Sequence, residues 1–316
     1  MIKVHASAGN EEIAMVYIVE TDSGNLVECV ESVQPPLPRE KKWVLLVSTM
    51  FGCPIGCLMC DAGGSYHGKP TKDEIFAQID FLVDKRFPSR NIPCEQFKIQ
   101  FARMGEPSLN MEVLDVLKEL PNRYQAPGLM PSISTVAPAG TERFFNQLLD
   151  IKQEYYSGGH FQFQISLHTT DLTLRDRFIP MKKWSFAQIK EYGERYYAIG
   201  DRKITLNFAL AKGMPVAPVV LLNFFDPDKY LIKITPLNPT YRARENDLVS
   251  YVNPLSAGEK YEIVQALQDS GYQVILSIGE TEENYIGSNC GQYLRRHLLA
   301  EAPIEDGYTY PVDGVQ

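Results

Sequence analysis

The sequence predicts an α/β protein whose strands and helices alternate along most of the chain. From residue 43 onward, short strand-like apolar runs alternate with segments of helical periodicity. Repeated βα units imply parallel strands joined by right-handed crossovers. Six or seven such units indicate a barrel or a partial barrel, and an open doubly wound sheet is the alternative. The length of 316 residues fits one large domain or two ordinary ones.

The predicted strands begin with a hairpin at residues 13–34, whose turn sequence DSGN at 22–25 favours a tight reversal. The segment PPLPRE at 35–40 is a stiff connector because its prolines fix the backbone. The later predicted strands, all rich in β-branched or aromatic residues, are 43–49 (WVLLVST), 97–102 (FKIQFA), 131–136 (PSISTV), 161–168 (FQFQISLH), 203–210 (KITLNFAL), 230–236 (YLIKITP) and 272–278 (YQVILSI).

The predicted helices fall between these strands. The helix at 71–86 follows Pro70 and places Ile75, Ile79 and Leu82 on one face. The other predicted helices are 109–119, 141–154, 172–178, 185–198 and 256–270, with a short one between 210 and 230. The predicted domain organisation is a hairpin extension with its linker at 1–40, a barrel domain at 41–300 and a tail at 301–316.

The composition excludes several classes of protein. Apolar residues make up 44% and charged residues 22%, which excludes disordered and fibrous chains. The net charge is 31 − 39 = −8, which argues against non-specific attraction to a nucleic-acid backbone. No basic leader and no apolar run of ~18 residues is visible. We therefore expect no membrane partner and a cytoplasmic location, where clustered cysteines more often bind metal than form disulfides.

Three cysteines lie within eight residues, directly after the first strand of the βα series. Cys53, Cys57 and Cys60 have the spacing CxxxCxxC. Three thiolates on so short a loop can bind one soft metal centre, and at a [4Fe–4S] cluster they would leave one iron open to another ligand. The alternative is a structural zinc site with His67 or Cys94 as its fourth ligand.

Further short motifs follow the later strands in a fixed order. They are MGEP at 104–107, SIST at 132–135, SLH at 166–168, LRD at 174–176, IPM at 179–181, PLNP at 236–239 and NCGQ at 289–292. Together with CxxxCxxC, this set resembles the RlmN/Cfr family of radical S-adenosylmethionine (SAM) enzymes, which methylate adenine carbons of ribosomal and transfer RNA. The resemblance covers nearly the whole chain and implies a partial (β/α)6 radical SAM barrel with an N-terminal β-hairpin extension.

The resemblance also implies two cofactors and the residues that bind them. A [4Fe–4S] cluster on the three loop cysteines would bind SAM and cleave it to a 5′-deoxyadenosyl radical, with an electron from a donor such as flavodoxin or ferredoxin. The implied SAM contacts are Gly105, Glu106, Ser134, Ser166, Leu167, His168 and Asn238. These residues sit at or after the ends of predicted strands, and a βα barrel brings such ends to one rim.

A further cysteine and a glutamate are implied as catalytic residues. Cys290 matches the methyl-carrying cysteine of the family, a covalent nucleophile. The proton-accepting glutamate of the family matches Glu28 when counted from the hairpin turn, and Glu31 when counted back from Leu46. The two are three residues apart on a strand, so only one can point inward. We prefer Glu28 and keep Glu31 open.

One position departs from the family pattern. Leu46 occupies the place of a second catalytic cysteine, and leucine can neither deprotonate nor attack. Cys94 precedes its strand and should lie at the opposite barrel end, whereas Cys29 in the hairpin could reach the rim. We expect Cys29 to be a half-buried strand residue.

Three functions therefore remain open. The first is an RlmN/Cfr-like methyltransferase that modifies an sp2 carbon through a methyl-Cys290 intermediate. The second is a radical SAM enzyme that abstracts hydrogen directly from a small molecule or peptide without methyl transfer. Three observations favour this second function and disfavour RNA as the substrate: Leu46, the acidic net charge and the short segment before the core. That segment has roughly 40 residues, too few for the extra RNA-binding domain of RlmN-type enzymes. The third is a non-catalytic protein with a structural cluster.

Overall fold

The fold is built on one eleven-stranded sheet, seen in a computed structural model that describes residues 2–33, 37–255, 259–289, 294–295, 304 and 307–314. The order across the sheet is β10-β9-β8-β7-β6-β5-β4-β3-β2-β1-β11. The strands are β1 (Lys3–Asn10), β2 (Ala14–Glu20), β3 (Leu26–Val33), β4 (Lys42–Val47), β5 (Gln96–Phe101), β6 (Leu129–Thr135), β7 (Gln162–Ser166), β8 (Ile204–Leu210), β9 (Tyr230–Pro236), β10 (Val274–Leu276) and β11 (Asp313–Gly314).

The strands β4 to β10 are parallel to one another and follow one another in chain order. A doubly wound sheet reverses its strand order at a switch point. Within the described residues the order runs in one direction only, as in a barrel that is wound one unit after another. The predicted α/β fold is therefore confirmed, and the doubly wound alternative was wrong.

The helices alternate with the parallel strands along the chain. They are α1 (Lys72–Arg86), α2 (Glu112–Arg123), α3 (Glu142–Tyr155), α4 (Leu172–Phe178), α5 (Phe186–Tyr196), α6 (Pro218–Leu222), α7 (Tyr241–Glu245), α8 (Glu262–Asp269) and α9 (Thr281–Ile286). The sequence at the start of α1 explains why a helix begins there. The Thr71 hydroxyl accepts from the Glu74 amide, and the Glu74 carboxylate accepts from the Thr71 amide. This capping box satisfies backbone donors that the first turn leaves free.

The two faces of the parallel strands differ in chemistry. On β4, Trp43, Leu45 and Val47 are fully buried on the helix side, whereas Lys42 and Leu46 are half-buried on the other side. We call this second side the lumen face. The paired positions that continue it on the next strands are largely polar, namely Gln96, Lys98, Gln100, Ser132, Ser134, Gln162, Gln164, Ser166, Thr205, Asn207, Lys233 and Thr235.

The predicted hairpin corresponds to β2 and β3, and β3 joins the parallel strands by antiparallel pairing with β4. The sequence did not predict β1, because the stretch KVHASAGN is poor in large apolar residues. The predicted strand 161–168 ends earlier, at Ser166, which leaves Leu167 and His168 in the loop that follows β7.

No helix of the described residues has both the length and the apolar character needed to cross a bilayer.

Candidate functional site

The cysteine loop follows β4 and is joined to the loop that follows β5. The amides of Thr49 and Met50 donate to the carbonyl of Met104, at 2.8 and 3.2 Å. Cys53 is almost buried, and Cys57 and Cys60 are half-buried. All three side chains belong to a small apolar cluster that also contains Ile55, Ala62, Val136, Phe178, Ile179 and Ala209. The thiols therefore lie in a pocket of low polarity at the carboxyl ends of β4 and β5.

Two neighbouring helices fix the backbone of this loop. The Leu58 amide donates to the carbonyl of Phe178 at the end of α4, at 3.0 Å. The Thr240 hydroxyl, which caps α7, donates to the Met59 carbonyl at 2.7 Å. Asp61 accepts from the amides of Tyr241 and Arg242, at 3.2 and 2.9 Å. Sequence reasoning missed Asp61 and Thr240, although a Thr after the PLNP motif is a common helix-capping signal.

Burial and neighbouring thiols raise the pKa of two of the three cysteines. Burial, followed by the nearby Cys60 and Cys53 thiols, raises the pKa of Cys57 well above its ordinary value. Burial and Cys60 also raise the pKa of Cys53. A soft metal cation reverses this effect, because a coordinating thiol is deprotonated outright. The donor set thus fits an iron–sulfur cluster with three protein thiolates.

The side chains are not arranged as a finished metal site. Among the described residues, no three His, Cys, Asp or Glu groups stand in ligating geometry, so the sulfur atoms would have to turn towards a bound cluster. The two candidates for a fourth zinc ligand lie elsewhere. His67 stacks on Phe51, and its Nδ1 hydrogen-bonds with the Ser65 carbonyl. Cys94 precedes β5 and therefore lies at the end of the parallel strands opposite the cysteine loop.

Glu106 is buried beside the cysteine loop and accepts several hydrogen bonds. Its Oε1 accepts from the hydroxyls of Thr135 and Ser108, at 2.6 and 2.7 Å. Its Oε2 accepts from the Val136 amide at 2.9 Å. Burial raises the pKa of Glu106, and these donors oppose the rise. Oε2 keeps acceptor capacity for one more donor, which is the requirement for binding an ammonium group.

Position 105 requires glycine because of its backbone conformation and because Met50 packs closely against it. Its φ of +99° lies in the left-handed region, and a Cβ there would come within 2.4 Å of Met50 Cβ. We expect Gly105→Ala to lower the free energy of unfolding by about 2–4 kcal/mol, through strain and overpacking together. Gly140→Ala is the matched control, because Gly140 has a φ of +86° and nothing within 4 Å of the added Cβ. Denaturant unfolding of both variants measures the difference, and equal losses would contradict the packing argument.

His168 is held as a neutral side chain. It has a left-handed φ of +65°, and its Nδ1 accepts from the Ala209 amide at 3.1 Å, which assigns its proton to Nε2. Burial, with a smaller effect of Arg175, lowers the pKa of His168 to about 3. The amide of the preceding Leu167 donates to the Asn207 carbonyl at 3.0 Å. The imidazole therefore fixes the backbone of β8 and carries no charge near neutral pH.

The remaining predicted SAM contacts lie on the lumen face or just beyond it. Ser134 is half-buried and lies beside Gln164, whose Nε2 is 3.3 Å from the Ser134 hydroxyl. Ser166 ends β7, and Asn238 is half-buried in the loop after β9. Asn207, which sequence reasoning missed, pairs with Ser166 across β7 and β8. Its Oδ1 is buried and has no hydrogen-bond partner within the described ranges.

Glu28 forms a fully buried ion pair with Arg103, which sequence reasoning also missed. Arg103 Nε donates to Glu28 Oε2 at 2.9 Å, and Arg103 also donates to the carbonyls of Gly287 and Ser288, at 3.0 and 3.1 Å. The other oxygen of Glu28 accepts from the Leu294 amide. The pair thus contacts the chain on both sides of residues 290–293. Cys290 itself lies outside the described residues.

Glu31 lies on the opposite side of β3, as the spacing predicted. Its carboxylate accepts from Arg86 Nε and Nη2 on α1, at 2.8 and 2.7 Å, and from the Tyr17 hydroxyl at 3.3 Å. Glu31 is therefore under the helices, whereas Glu28 faces the lumen. Cys29 is fully buried, and burial raises the pKa of its thiol. The expectation of a half-buried Cys29 was wrong, because β3 packs on both faces.

Several known proteins are similar to this chain, although no family model matches it. The chain is 28% identical over 295 residues to a probable dual-specificity RNA methyltransferase RlmN of Desulfitobacterium hafniense, which covers 90% of this chain and 76% of that protein. A protein of the same description from Syntrophomonas wolfei is 27% identical over 287 residues, 87% of this chain and 75% of the relative. These alignments span both the cysteine loop and most of the later strands.

A solved structure shares the fold. The crystal structure of a radical SAM methyltransferase from Sphaerobacter thermophilus superposes with a TM-score of 0.69 at 17% sequence identity. The superposition covers 92% of this chain and 80% of the other. The strands described above thus belong to a fold that the two proteins share.

Proposed function

For this chain, an RlmN/Cfr-like enzyme of the radical SAM methyltransferase type, we propose reductive cleavage of SAM at a [4Fe–4S] cluster and methyl transfer through Cys290 to an sp2 carbon. The observation that carries the proposal is the contact between the cysteine loop and the 104–107 loop. The amides of Thr49 and Met50 bind the Met104 carbonyl, and the buried Glu106 carboxylate is close enough to Cys53 and Cys57 to raise the pKa of both thiols. A purely structural cluster has no need of that carboxylate.

The residues of the rim fit the proposed cofactors. Cys53, Cys57 and Cys60 would hold the cluster, which when bound would supply the electron that cleaves SAM. The apolar side chains of Phe178 and Ile179 are fully buried beside the loop and would exclude water from it.

Two polar groups would orient SAM. Glu106 Oε2 would accept a charge-assisted hydrogen bond from the SAM ammonium, in addition to that from the Val136 amide. Asn207 Oδ1 would accept from a SAM hydroxyl, since a buried acceptor without a donor is rare in a folded protein. Ser134, Ser166 and Asn238 are proposed to line the same space, because they end or follow strands β6, β7 and β9.

Glu28 is proposed as a positioning residue for Cys290. Both of its oxygens are engaged, one by Arg103 and one by the Leu294 amide. A general base needs a free acceptor within reach of the proton that it removes. The ion pair instead contacts the backbone two residues before Cys290 and four residues after it. Glu31, on the helix side of β3, is not proposed for catalysis.

The Arg103→Met variant tests this positioning role. We expect the rate of Cys290 methylation to fall by about 100-fold, because a small misplacement of a reacting group has that effect. The Arg86→Met variant is the control, since it breaks the corresponding pair with Glu31 beneath α1. Arg103→Met leaves the buried Glu28 carboxylate without its cation and should lose about 3–5 kcal/mol of unfolding free energy. In Arg86→Met the Glu31 carboxylate keeps Lys85 at 3.9 Å and Arg39 at 4.0 Å, so this variant should lose less. An equal fall in methylation rate for the two would show that lost stability, and not position, is the cause.

A second function is favoured by one observation. Leu46 occupies a lumen-facing position of β4, paired with Val30 and Gln100, where the family pattern has its second cysteine. Without that cysteine, release of a covalently held product requires another group. Direct hydrogen abstraction from a small molecule or peptide, without methyl transfer, avoids this requirement.

Anaerobic incubation with a reductant and SAM labelled in its methyl group separates these functions. The relatives are named as RNA methyltransferases, so RNA and small-molecule extracts are offered side by side. Label in RNA or in a small molecule supports methyl transfer and identifies the acceptor class. Formation of 5′-deoxyadenosine without transferred label supports direct hydrogen abstraction. No 5′-deoxyadenosine from a fully reconstituted cluster would contradict both functions and support a structural cluster.

A further inference from the structure

Asp61 is buried directly after Cys60, and its carboxylate contacts parts of the chain that are distant in sequence. Two amides at the start of α7 donate to it. The Tyr308 hydroxyl donates to Oδ2 at 3.2 Å, and Arg295 Nη1 lies 3.6 Å from Oδ1. The proposed function makes no use of this carboxylate, although it adjoins one of the three thiols.

An aromatic platform on α7 orients the two distant donors. The ring of Tyr308 stacks on that of Tyr241, with the ring centroids 5.5 Å apart and the planes at 16°. The Arg295 guanidinium lies over the same Tyr241 ring, 5.4 Å from its centroid. Arg295 also pairs with Glu245, the last residue of α7. Both donors therefore reach Asp61 from one platform that adjoins the cysteine loop.

Both oxygens of the carboxylate are needed for this set of contacts. Oδ1 accepts from the Arg242 amide and faces Arg295, whereas Oδ2 accepts from the Tyr241 amide and the Tyr308 hydroxyl. Capping a helix requires only one acceptor, which an asparagine oxygen would provide. An asparagine offers one oxygen and no charge, so it could not serve both distant donors as Asp61 does.

The contact with Arg295 attaches the chain a second time near residue 290. The ion pair of Glu28 contacts Ser288 before this position and Leu294 after it. Asp61 contacts the next residue, Arg295. Burial raises the pKa of Glu28, and Asp61 adds to this rise, so the two carboxylates lie close to each other. One carboxylate thus attaches this part of the chain to β3, and the other attaches it to the cysteine loop.

We propose that Asp61 is a positioning residue for Cys290, because it holds the chain that follows Cys290 against the loop of the three cluster cysteines. Methyl transfer would require the Cys290 thiolate to meet SAM bound at that loop, and a direct attachment between the two parts of the chain fixes their separation. The chemical consequence rests on the proposed function. The attachment itself can be measured without any reaction.

Hydrogen exchange of the peptide 288–295 in the reconstituted protein tests the attachment. We expect Asp61→Asn to accelerate exchange in this peptide by about 10- to 150-fold, the value of a hydrogen bond to a charged group. Tyr308→Phe keeps the stack on Tyr241 and removes one hydrogen bond, so it should accelerate exchange less. This milder variant carries the test if Asp61→Asn does not fold.

Asp80→Asn is the matched control. Asp80 also accepts from an arginine and a tyrosine, namely from Arg123 Nε at 3.0 Å and from the Tyr124 hydroxyl at 2.6 Å, but it joins α1 to the end of α2. It should leave exchange in the peptide 288–295 unchanged. Wild-type exchange in both Asp61→Asn and Tyr308→Phe, or equal acceleration in Asp80→Asn, would overturn the proposal.

Methylation of Cys290 in the same samples separates a positioning role from a structural one. In Asp61→Asn the rate should fall about 100-fold, while iron content and the formation of 5′-deoxyadenosine stay at their wild-type values. Iron lost together with methylation, or faster exchange with an unchanged methylation rate, would overturn the positioning role. A wild-type protein that never methylates Cys290 would refute the proposed function, and the exchange result would still decide whether Asp61 attaches the two parts of the chain.

Discussion

Replacing Cys57 by serine is expected to abolish both iron binding and the formation of 5′-deoxyadenosine. Cys57 lies between the other two cysteines of the loop in sequence, and both of them raise the pKa of its thiol. A serine oxygen is a hard ligand that does not replace a soft thiolate at an iron–sulfur cluster. Iron content and 5′-deoxyadenosine are both measured after anaerobic reconstitution, and both should fall to background.

Cys94→Ser is the matched control for this variant. Cys94 is also buried, but it precedes β5 and therefore lies at the end of the parallel strands opposite the cysteine loop. It should keep full iron content and full SAM cleavage. Wild-type iron content in Cys57→Ser, or its loss in Cys94→Ser, would contradict the assignment of the cluster to the loop after β4.

Replacing Cys290 by alanine is expected to abolish methyl transfer while SAM cleavage continues. In the proposed reaction the Cys290 thiolate is the nucleophile that receives the methyl group, and alanine offers no nucleophile. The proposed cluster ligands and Glu106 lie on other loops and are unchanged. Product methylation should therefore fall to background, with 5′-deoxyadenosine still formed from SAM.

The same variant separates the two proposed functions. Direct hydrogen abstraction makes no use of a methyl carrier, so Cys290→Ala would then keep its turnover of substrate. Methyl transfer that persists in Cys290→Ala would contradict the proposed route through this residue. Comparison with Arg103→Met, which keeps the cysteine but removes a contact to the carbonyl of Ser288, distinguishes the thiol from its positioning.

The parallel strands could be predicted from sequence because their signals are local. Each strand from β4 to β9 is a short run of β-branched and aromatic residues followed by a helical segment, and strand ends on one edge gather the motifs after them. The capping box at Thr71 and Glu74 likewise lies within four residues. The alternation on β3 also predicted that Glu28 and Glu31 would lie on opposite faces.

The contacts that organise the site could not be predicted in this way. Arg103 reaches Glu28 across 75 residues of sequence and Ser288 across 185. The unpartnered oxygen of Asn207 is apparent only once β7, β8 and β9 are paired. Such long-range juxtapositions carry no signal in a local pattern.

Mass spectrometry of the peptide that contains Cys290 tests the central claim most directly. The protein is reconstituted anaerobically, supplied with reductant and methyl-labelled SAM, and digested after turnover. The proposed function predicts one labelled methyl group on Cys290. An unmodified Cys290 in a sample that has formed 5′-deoxyadenosine would contradict it.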